Sequence, residues 1–143
     1  MADGTDNLWE DLVLAILSVC QYSLEKTYLA VETLRREGLF DPQNLMRWTP
    51  EEIGTRLRLG GYDRGDFMTS LFASRLASLG KLVKSRGVEE CQTVLQRGKT
   101  NEIKHFLLPV KGIGPRVLVN FFALRNAPSL ARLKSSGTGS SLS

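Results

Sequence analysis

The residues with the clearest chemical meaning are Gly112 and Gly114, which are separated by Ile113 and flanked by Lys111 and Arg116. Glycines at this spacing let backbone amides approach a phosphate closely, and a helix that begins directly after them adds the positive end of its dipole. The two cations would contact neighbouring phosphates, while Ile113 would pin the turn to the core. The segment predicts a phosphate-binding hairpin. The alternative is a helix–helix corner in which the glycines serve only the turn.

The charge is distributed unevenly along the chain. The chain of 143 residues has a formal net charge of +4. Residues 103–143 contain six basic and no acidic side chains, so they carry +6 and the preceding residues carry −2. A one-sided basic segment can bind a polyanion, and a solvated tail can have the same composition.

Candidate catalytic side chains are few. Asp63 and Asp66 precede or open the longest predicted helix and could act as cleft carboxylates, although acidic residues at a helix start are also favoured by the helix dipole. His105 is the only histidine and has no cluster of metal-ligand types near it in sequence. We therefore expect no metal and no cofactor.

The composition indicates the class of protein. With 42% hydrophobic and 24% charged residues, the chain has the balance of one globular domain. Its longest apolar run, residues 12–20, is shorter than the roughly 20 residues needed to cross a bilayer, so we expect no membrane partner. Cys20 and Cys91 lie in apolar stretches, which predicts free buried thiols in a reducing, intracellular compartment.

Hydrophobic residues spaced three and four apart predict helices throughout, without strand-like alternation. The predicted helices lie at about residues 8–20, 23–37, 41–48, 49–60, 63–86, 88–97 and 100–107, and from 115 onward. We expect a single all-α domain of seven or eight helices at 8–125, with a helix-hairpin-helix at 101–124. Residues 1–7 are expected to be flexible, as are residues 126–143, which have too little apolar surface to order.

Local signals predict several helix boundaries. Ser23, Asp41 and Thr49 are N-cap residue types. Thr49 and Glu52 also have the spacing of a capping box, so Glu51 and Glu52 are interpreted as capping residues rather than as paired catalytic carboxylates. Glycines are expected to end helices at positions 38, 60, 87 and 98.

Three motifs in serial order resemble the helical-barrel half of the helix-hairpin-helix DNA glycosylase superfamily, which includes the endonuclease III and adenine-glycosylase relatives. Residues 9–18 resemble the first barrel helix, residues 60–66 the glycine-aromatic turn that opens the long helix, and residues 108–118 the hairpin. The resemblance implies a DNA-binding protein related to base-excision repair, with intact, damaged or abasic duplex DNA as its partner.

The departures from the family also carry implications. Lyase-competent relatives have a lysine nucleophile two residues after the second glycine, where this chain has Arg116, and arginine cannot form a Schiff base. The family's carboxylate after the hairpin has no counterpart, because no Asp or Glu follows Glu102. Lys111 is expected to face phosphate. The resemblance thus implies DNA binding without lyase activity.

Gln21 lies where the family inserts a side chain into the duplex gap left by an extruded base, and Cys20 is the alternative match. A polar residue at a helix–helix turn would have the same appearance. The aromatic residues Trp9, Trp48 and Tyr62 fall at helix starts or turns, where packing is expected rather than base stacking.

Two further functions stay open. One is a minimal monofunctional glycosylase that activates water with Asp63, Asp66 or another cleft carboxylate. The other is a scaffold without DNA binding, whose last helix is covered by a protein partner or a second copy. Exposed apolar side chains at Leu118, Phe121 and Phe122 would favour the scaffold.

Overall fold

The computed structural model describes residues 4–19 and 23–126, with side chains from residue 8 to residue 125 in those ranges. These parts of the chain form α-helices and no strand, which confirms the all-α prediction. The helices are α1 (Gly4–Leu17), α2 (Leu24–Leu29), α3 (Val31–Arg36), α4 (Pro42–Arg47), α5 (Pro50–Leu59), α6 (Gly65–Arg86), α7 (Val88–Arg97), α8 (Thr100–Phe106) and α9 (Pro115–Asn126).

The segment predicted as one helix from Ser23 to Glu37 forms two helices, so the described chain has nine rather than seven or eight. The break falls at Ala30, with φ −100° and ψ 9°. Alanine is the best helix former, so its own propensity does not cause the break. Just before the break, Thr27 is completely buried, and its hydroxyl is hydrogen-bonded to Ser18 Oγ at 2.8 Å.

The predicted N-caps are confirmed. Ser23, Asp41 and Thr49 each accept a hydrogen bond from a backbone N–H in the following helix, at 2.9–3.1 Å. The Glu52 carboxylate accepts from Arg56 Nε at 2.8 Å instead of completing a capping box. Helix α1 begins at Gly4, before the predicted start at Leu8, and ends at Leu17 rather than Cys20.

Helix α1 is the centre of the core. Every residue from Leu12 to Leu17 is completely buried, as expected of a helix that is apolar on all sides. It packs against α2, α6, α7 and α9. Trp9 and Tyr62 are buried in the same core, which confirms that they pack.

Helices α4 and α5 pack along helix α6. A Cβ atom placed on Gly80 would lie 2.1 Å from the carbonyl oxygen of Leu45, so the backbones of α4 and α6 are in direct contact. A Cβ atom placed on Gly54, in α5, would lie 3.7 Å from Cβ of Ala73, an ordinary contact. Glycine is therefore required at position 80 and only tolerated at position 54.

The last helix packs on the first. Leu118 and Phe121 of α9 are buried, and Asn120 Nδ2 donates to the carbonyl oxygen of Ser18 at 3.0 Å. Among the large apolar side chains of α9, Val119 is exposed. None of the helices in the described ranges has the length and apolar character required to cross a membrane.

Candidate nucleic-acid interface

The turn between α8 and α9, residues 107–114, contains both glycines of the motif. Gly112 has φ +79°, a left-handed conformation that strains any residue with a Cβ. Val110 is buried and Ile113 packs against the core, so two apolar side chains anchor the turn. The first glycine of the motif is thus explained by backbone geometry.

The turn rests on α6. The backbone N–H of Lys111 donates to Ser78 Oγ at 3.0 Å. The guanidinium of Arg75 stacks on the Phe72 ring at 4.8 Å and lies against Gly112, where an added Cβ would be 2.3 Å from its Nε. Sequence reasoning missed Arg75, because nothing in the sequence signals a contact that spans 37 positions between two helical elements.

The second glycine faces open space. No atom lies within 4 Å of a Cβ placed on Gly114. Pro115 occupies the first position of α9, and the amides of Arg116 and Val117 lie in the first turn, where helical carbonyls cannot reach them. The backbone N–H groups of Arg116 and Val117, which lack an acceptor within the helix, therefore lie next to the open space at Gly114.

The surface at Gly114 is one side of a groove of about 850 Å³, which we call the hairpin groove. It is formed by the hairpin, α6, α9 and the end of α1. Its lining residues are Ser18, Val19, Ser23, Leu24, Arg75, Gly112, Gly114, Pro115, Arg116, Val117 and Asn120. The structure thus brings three of the predicted residues, Gly112, Gly114 and Arg116, into one groove.

The hairpin groove is positively charged. Arg75 and Arg116 line it, and no carboxylate occurs among its described lining residues. Neither guanidinium forms an ion pair with a described carboxylate, whereas Arg35, Arg56 and Arg86 do. Two uncompensated cations beside a helix N-terminus favour an anion.

Lys111, which is predicted to bind phosphate beside the two glycines, does not line the hairpin groove. It lines a separate cavity between α4 and α6, which is also lined by Lys81 and Lys84. Its ammonium adds to the positive field around the hairpin without being part of the hairpin groove lining.

The far wall of the hairpin groove is the C-terminal end of α1, which is held by three side chains from other elements. Tyr62 Oη donates a hydrogen bond to the carbonyl oxygen of Leu17 at 2.7 Å. A guanidinium nitrogen of Arg64 donates to the carbonyl oxygen of Val19 at 3.1 Å. Asn120 binds the carbonyl of Ser18. These bonds satisfy carbonyls that a helix end leaves without intrahelical donors.

Gln21 and its alternative match Cys20 lie outside the described residues. The nearest described residues on either side, Val19 and Ser23, both line the hairpin groove. The chain therefore leaves and re-enters the described structure at the edge of this groove.

The candidate catalytic carboxylates lie elsewhere. Asp63 and Asp66 are exposed and face Arg58, with nitrogen–oxygen distances of 3.8 and 2.9 Å. Asp63 also accepts from the N–H of Gly65 at 3.1 Å. Neither lines the hairpin groove. His105 is exposed on α8, and no group of three or more possible metal ligands occurs in the described part of the chain.

Away from the groove, one carboxyl group and one thiol have raised pKa values. Burial, with a smaller contribution from Glu10, raises the pKa of Asp11 from 3.8 to about 7. Burial, followed by the charge of Glu90, raises the pKa of the Cys91 thiol from 9.0 to about 11. Cys91 is a free buried thiol as predicted, whereas Cys20 is outside the described residues.

Comparison with known proteins adds no relative: no protein-family model matches the chain, and neither the curated proteins nor the solved structures yield a match. The resemblance to the glycosylase superfamily therefore rests on the motifs alone.

Proposed function

We propose that the protein binds duplex DNA at the hairpin groove, with a backbone phosphate above Gly114 at the start of α9. The observation that carries the proposal is a groove that contains two unpaired guanidiniums, a helix N-terminus and no carboxylate among its described lining residues. Arg75 and Arg116 would contact the bound phosphate or its neighbours, and Lys111 would add to the field from the adjacent cavity. Binding of this kind is mainly electrostatic and weakens with added salt, because the release of counterions from DNA then gains less entropy.

A link to base-excision repair is part of the proposal and comes from the motif resemblance. The preference for a damaged or abasic duplex also comes from the resemblance, which implies an inserted side chain at Gln21; Val19 and Ser23, the nearest described residues on either side, line the hairpin groove. A side chain placed there could fill the gap left by an extruded base.

The proposed activity is binding rather than lyase chemistry. Arg116 occupies the position of the family's nucleophile and stays protonated at accessible pH. The alternative of a monofunctional glycosylase needs a carboxylate at the bound DNA. Asp63 and Asp66 give it no support, because both are exposed, paired with Arg58 and outside the hairpin groove.

The scaffold alternative also lacks its expected support. Leu118 and Phe121 are buried against the rest of the protein, and Phe122 is half-buried with the Arg125 guanidinium 5.2 Å from its ring. The apolar surface that a partner or second copy would cover on α9 is thus largely used within the chain.

The test is fluorescence anisotropy of a labelled duplex, intact or with one abasic analogue, at about 50 and 200 mM salt. We expect binding at low salt and tighter binding to the abasic duplex. Arg75→Gln/Arg116→Gln should weaken affinity at least tenfold. It should also lower the slope of log affinity against log salt by about 2, because each neutralised phosphate contributes roughly 0.9 to that slope.

The matched control is Arg36→Gln/Arg97→Gln, which removes the same charge from exposed positions that do not line the hairpin groove. Its affinity should stay within about threefold of the unmodified protein, because distant exposed charges act only through a screened field. Equal affinity of the groove variant and the unmodified protein would overturn the proposal.

A further inference from the structure

A second cavity lies on the other side of Lys111, between α4 and α6. We call it the α6 pocket; its volume is about 410 Å³. It is lined by Leu45, Met46, Trp48, Thr49, Pro50, Ser74, Ala77, Ser78, Lys81, Lys84 and Lys111. Its size falls within the range of small-molecule sites.

Three lysines line the α6 pocket. Lys81 and Lys84 are three residues apart on α6 and lie on one side of the helix, and Lys111 of the hairpin lines the same pocket. No carboxylate is among the described lining residues, and none of the three lysines forms an ion pair with a described acid. Three like charges without a counter-charge favour a ligand with more than one negative charge.

Two hydroxyl groups add donors. Ser74 and Ser78 lie four residues apart on α6, one helical turn from each other. Ser78 Oγ accepts the N–H of Lys111, so its own hydrogen is free to be donated. A phosphate oxygen accepts hydrogen bonds and does not donate them, so it complements the free hydroxyl hydrogen of Ser78.

Apart from Thr49, the rest of the α6 pocket is apolar. Leu45, Met46, Trp48, Pro50 and Ala77 line it, and Trp48 is half-buried with the Arg56 guanidinium 4.7 Å from its ring. A lone backbone phosphate would leave this wall unused. A ligand with a phosphate end and a planar or apolar body would use both kinds of surface.

We propose that the α6 pocket binds a phosphorylated small molecule with a planar or apolar body, for which a nucleoside diphosphate is the representative. The lysines and Ser78 hold the phosphates, and the apolar wall from α4 to α5 holds the body. This site does not require DNA binding at the hairpin groove, although the two cavities share the hairpin as a wall.

The experiment is isothermal titration of the full chain with ADP, pyrophosphate and adenosine at low salt. We expect ADP to bind more tightly than pyrophosphate, and adenosine to bind at least tenfold more weakly than ADP. Lys81→Ala/Lys84→Ala should weaken ADP binding at least tenfold. Both lysines are exposed, so the variant should keep the unmodified melting temperature. Arg36→Ala/Arg97→Ala is the control and should leave ADP affinity unchanged.

Absence of ADP binding at millimolar concentration, or equal binding by the lysine variant, would overturn this inference. Equal affinities for ADP and pyrophosphate would overturn the assigned role of the apolar wall. A titration of duplex DNA with the same lysine variant separates the two proposals. If the variant loses DNA affinity and the unmodified protein does not bind ADP, the pocket is part of the DNA-binding surface. That result would overturn the ADP site and leave the proposed function standing.

Discussion

The backbone N–H of Lys111 is bound to the hydroxyl of Ser78 at 3.0 Å, and this bond joins the hairpin to α6 between the two cavities. It fixes the hairpin backbone while leaving the Lys111 ammonium exposed. The position of the turn is therefore set by a side chain 33 residues earlier in the sequence.

Ser78→Ala tests this anchor. The change leaves the Lys111 amide without its acceptor, so we expect faster hydrogen exchange across residues 108–114, with a decrease in global stability of about 1 kcal/mol or less. Ser74→Ala is the control, because Ser74 lines the α6 pocket and forms no hydrogen bond with the described residues of the hairpin. Mass spectrometry of exchanged peptides measures both. Unchanged exchange in Ser78→Ala would show that α6 does not hold the turn.

The two glycines of the hairpin should respond differently to alanine. Gly114→Ala adds a methyl group in open space, so stability should be unchanged while duplex affinity falls about tenfold, because the methyl occupies the phosphate position. Gly112→Ala forces a side chain into φ +79° and against Arg75, and should cost about 1–2 kcal/mol of stability.

Thermal unfolding and duplex anisotropy together distinguish these outcomes. If Gly114→Ala keeps full DNA affinity at unchanged stability, no phosphate lies at the start of α9. If both variants are destabilised equally, the space above Gly114 is not open.

Gly80→Ala should be strongly destabilising. Its methyl carbon would lie 2.1 Å from the Leu45 carbonyl oxygen, and backbone atoms on α4 cannot turn aside as a side chain can. We expect a decrease in stability of about 3 kcal/mol, at the upper end for overpacked cores. Gly54→Ala meets an ordinary 3.7 Å contact and should be neutral or gain up to about 1 kcal/mol from helix propensity. Chemical denaturation measures the difference, and equal stability of the two variants would contradict the backbone contact.

Asp11 should make stability depend on pH. Its pKa is about 7 in the folded protein against an ordinary value of 3.8, so the folded state binds the proton more tightly. The resulting stabilisation is complete below about pH 4 and is lost as pH rises through about 7. Asp11→Asn should therefore stabilise the protein by about 2 kcal/mol above pH 8, after allowance for partial exposure, and have little effect near pH 4.

Denaturation of Asp11→Asn at both pH values checks this expectation. Glu89→Gln, an exposed carboxylate on α7, controls for the removal of one negative charge. A stabilisation of Asp11→Asn that is the same at both pH values would argue against a proton bound by Asp11.

The helix starts that depend on residues close together in the chain could be predicted from the sequence. Ser23, Asp41 and Thr49 cap helices through backbone groups two or three residues away, so their residue types suffice. The break at Ala30 could not be predicted, because alanine favours helix and no glycine or proline lies between Ser23 and Glu37.

In the candidate site, too, local features could be predicted from the sequence and long-range contacts could not. Gly112 and Gly114 could be found from their spacing, since a tight turn before a helix is a local signal. Arg75 and the separation of Lys111 into another cavity depend on how α6 meets the hairpin, which no residue pattern encodes. Asp63 and Asp66 were candidates because of their position next to the long helix, and the sequence does not reveal that both are exposed and paired with Arg58.

The hydrogen bonds at the end of α1 have a consequence for synthesis on the ribosome. Tyr62 reaches Leu17 across 45 residues, and Asn120 reaches Ser18 across 102. The central helix thus receives its terminal hydrogen bonds only after almost the whole described chain has left the exit tunnel. A nascent chain that stops before α9 would expose the apolar surface of α1, so we expect folding to complete in one late cooperative step and shortened translation products to depend on chaperones.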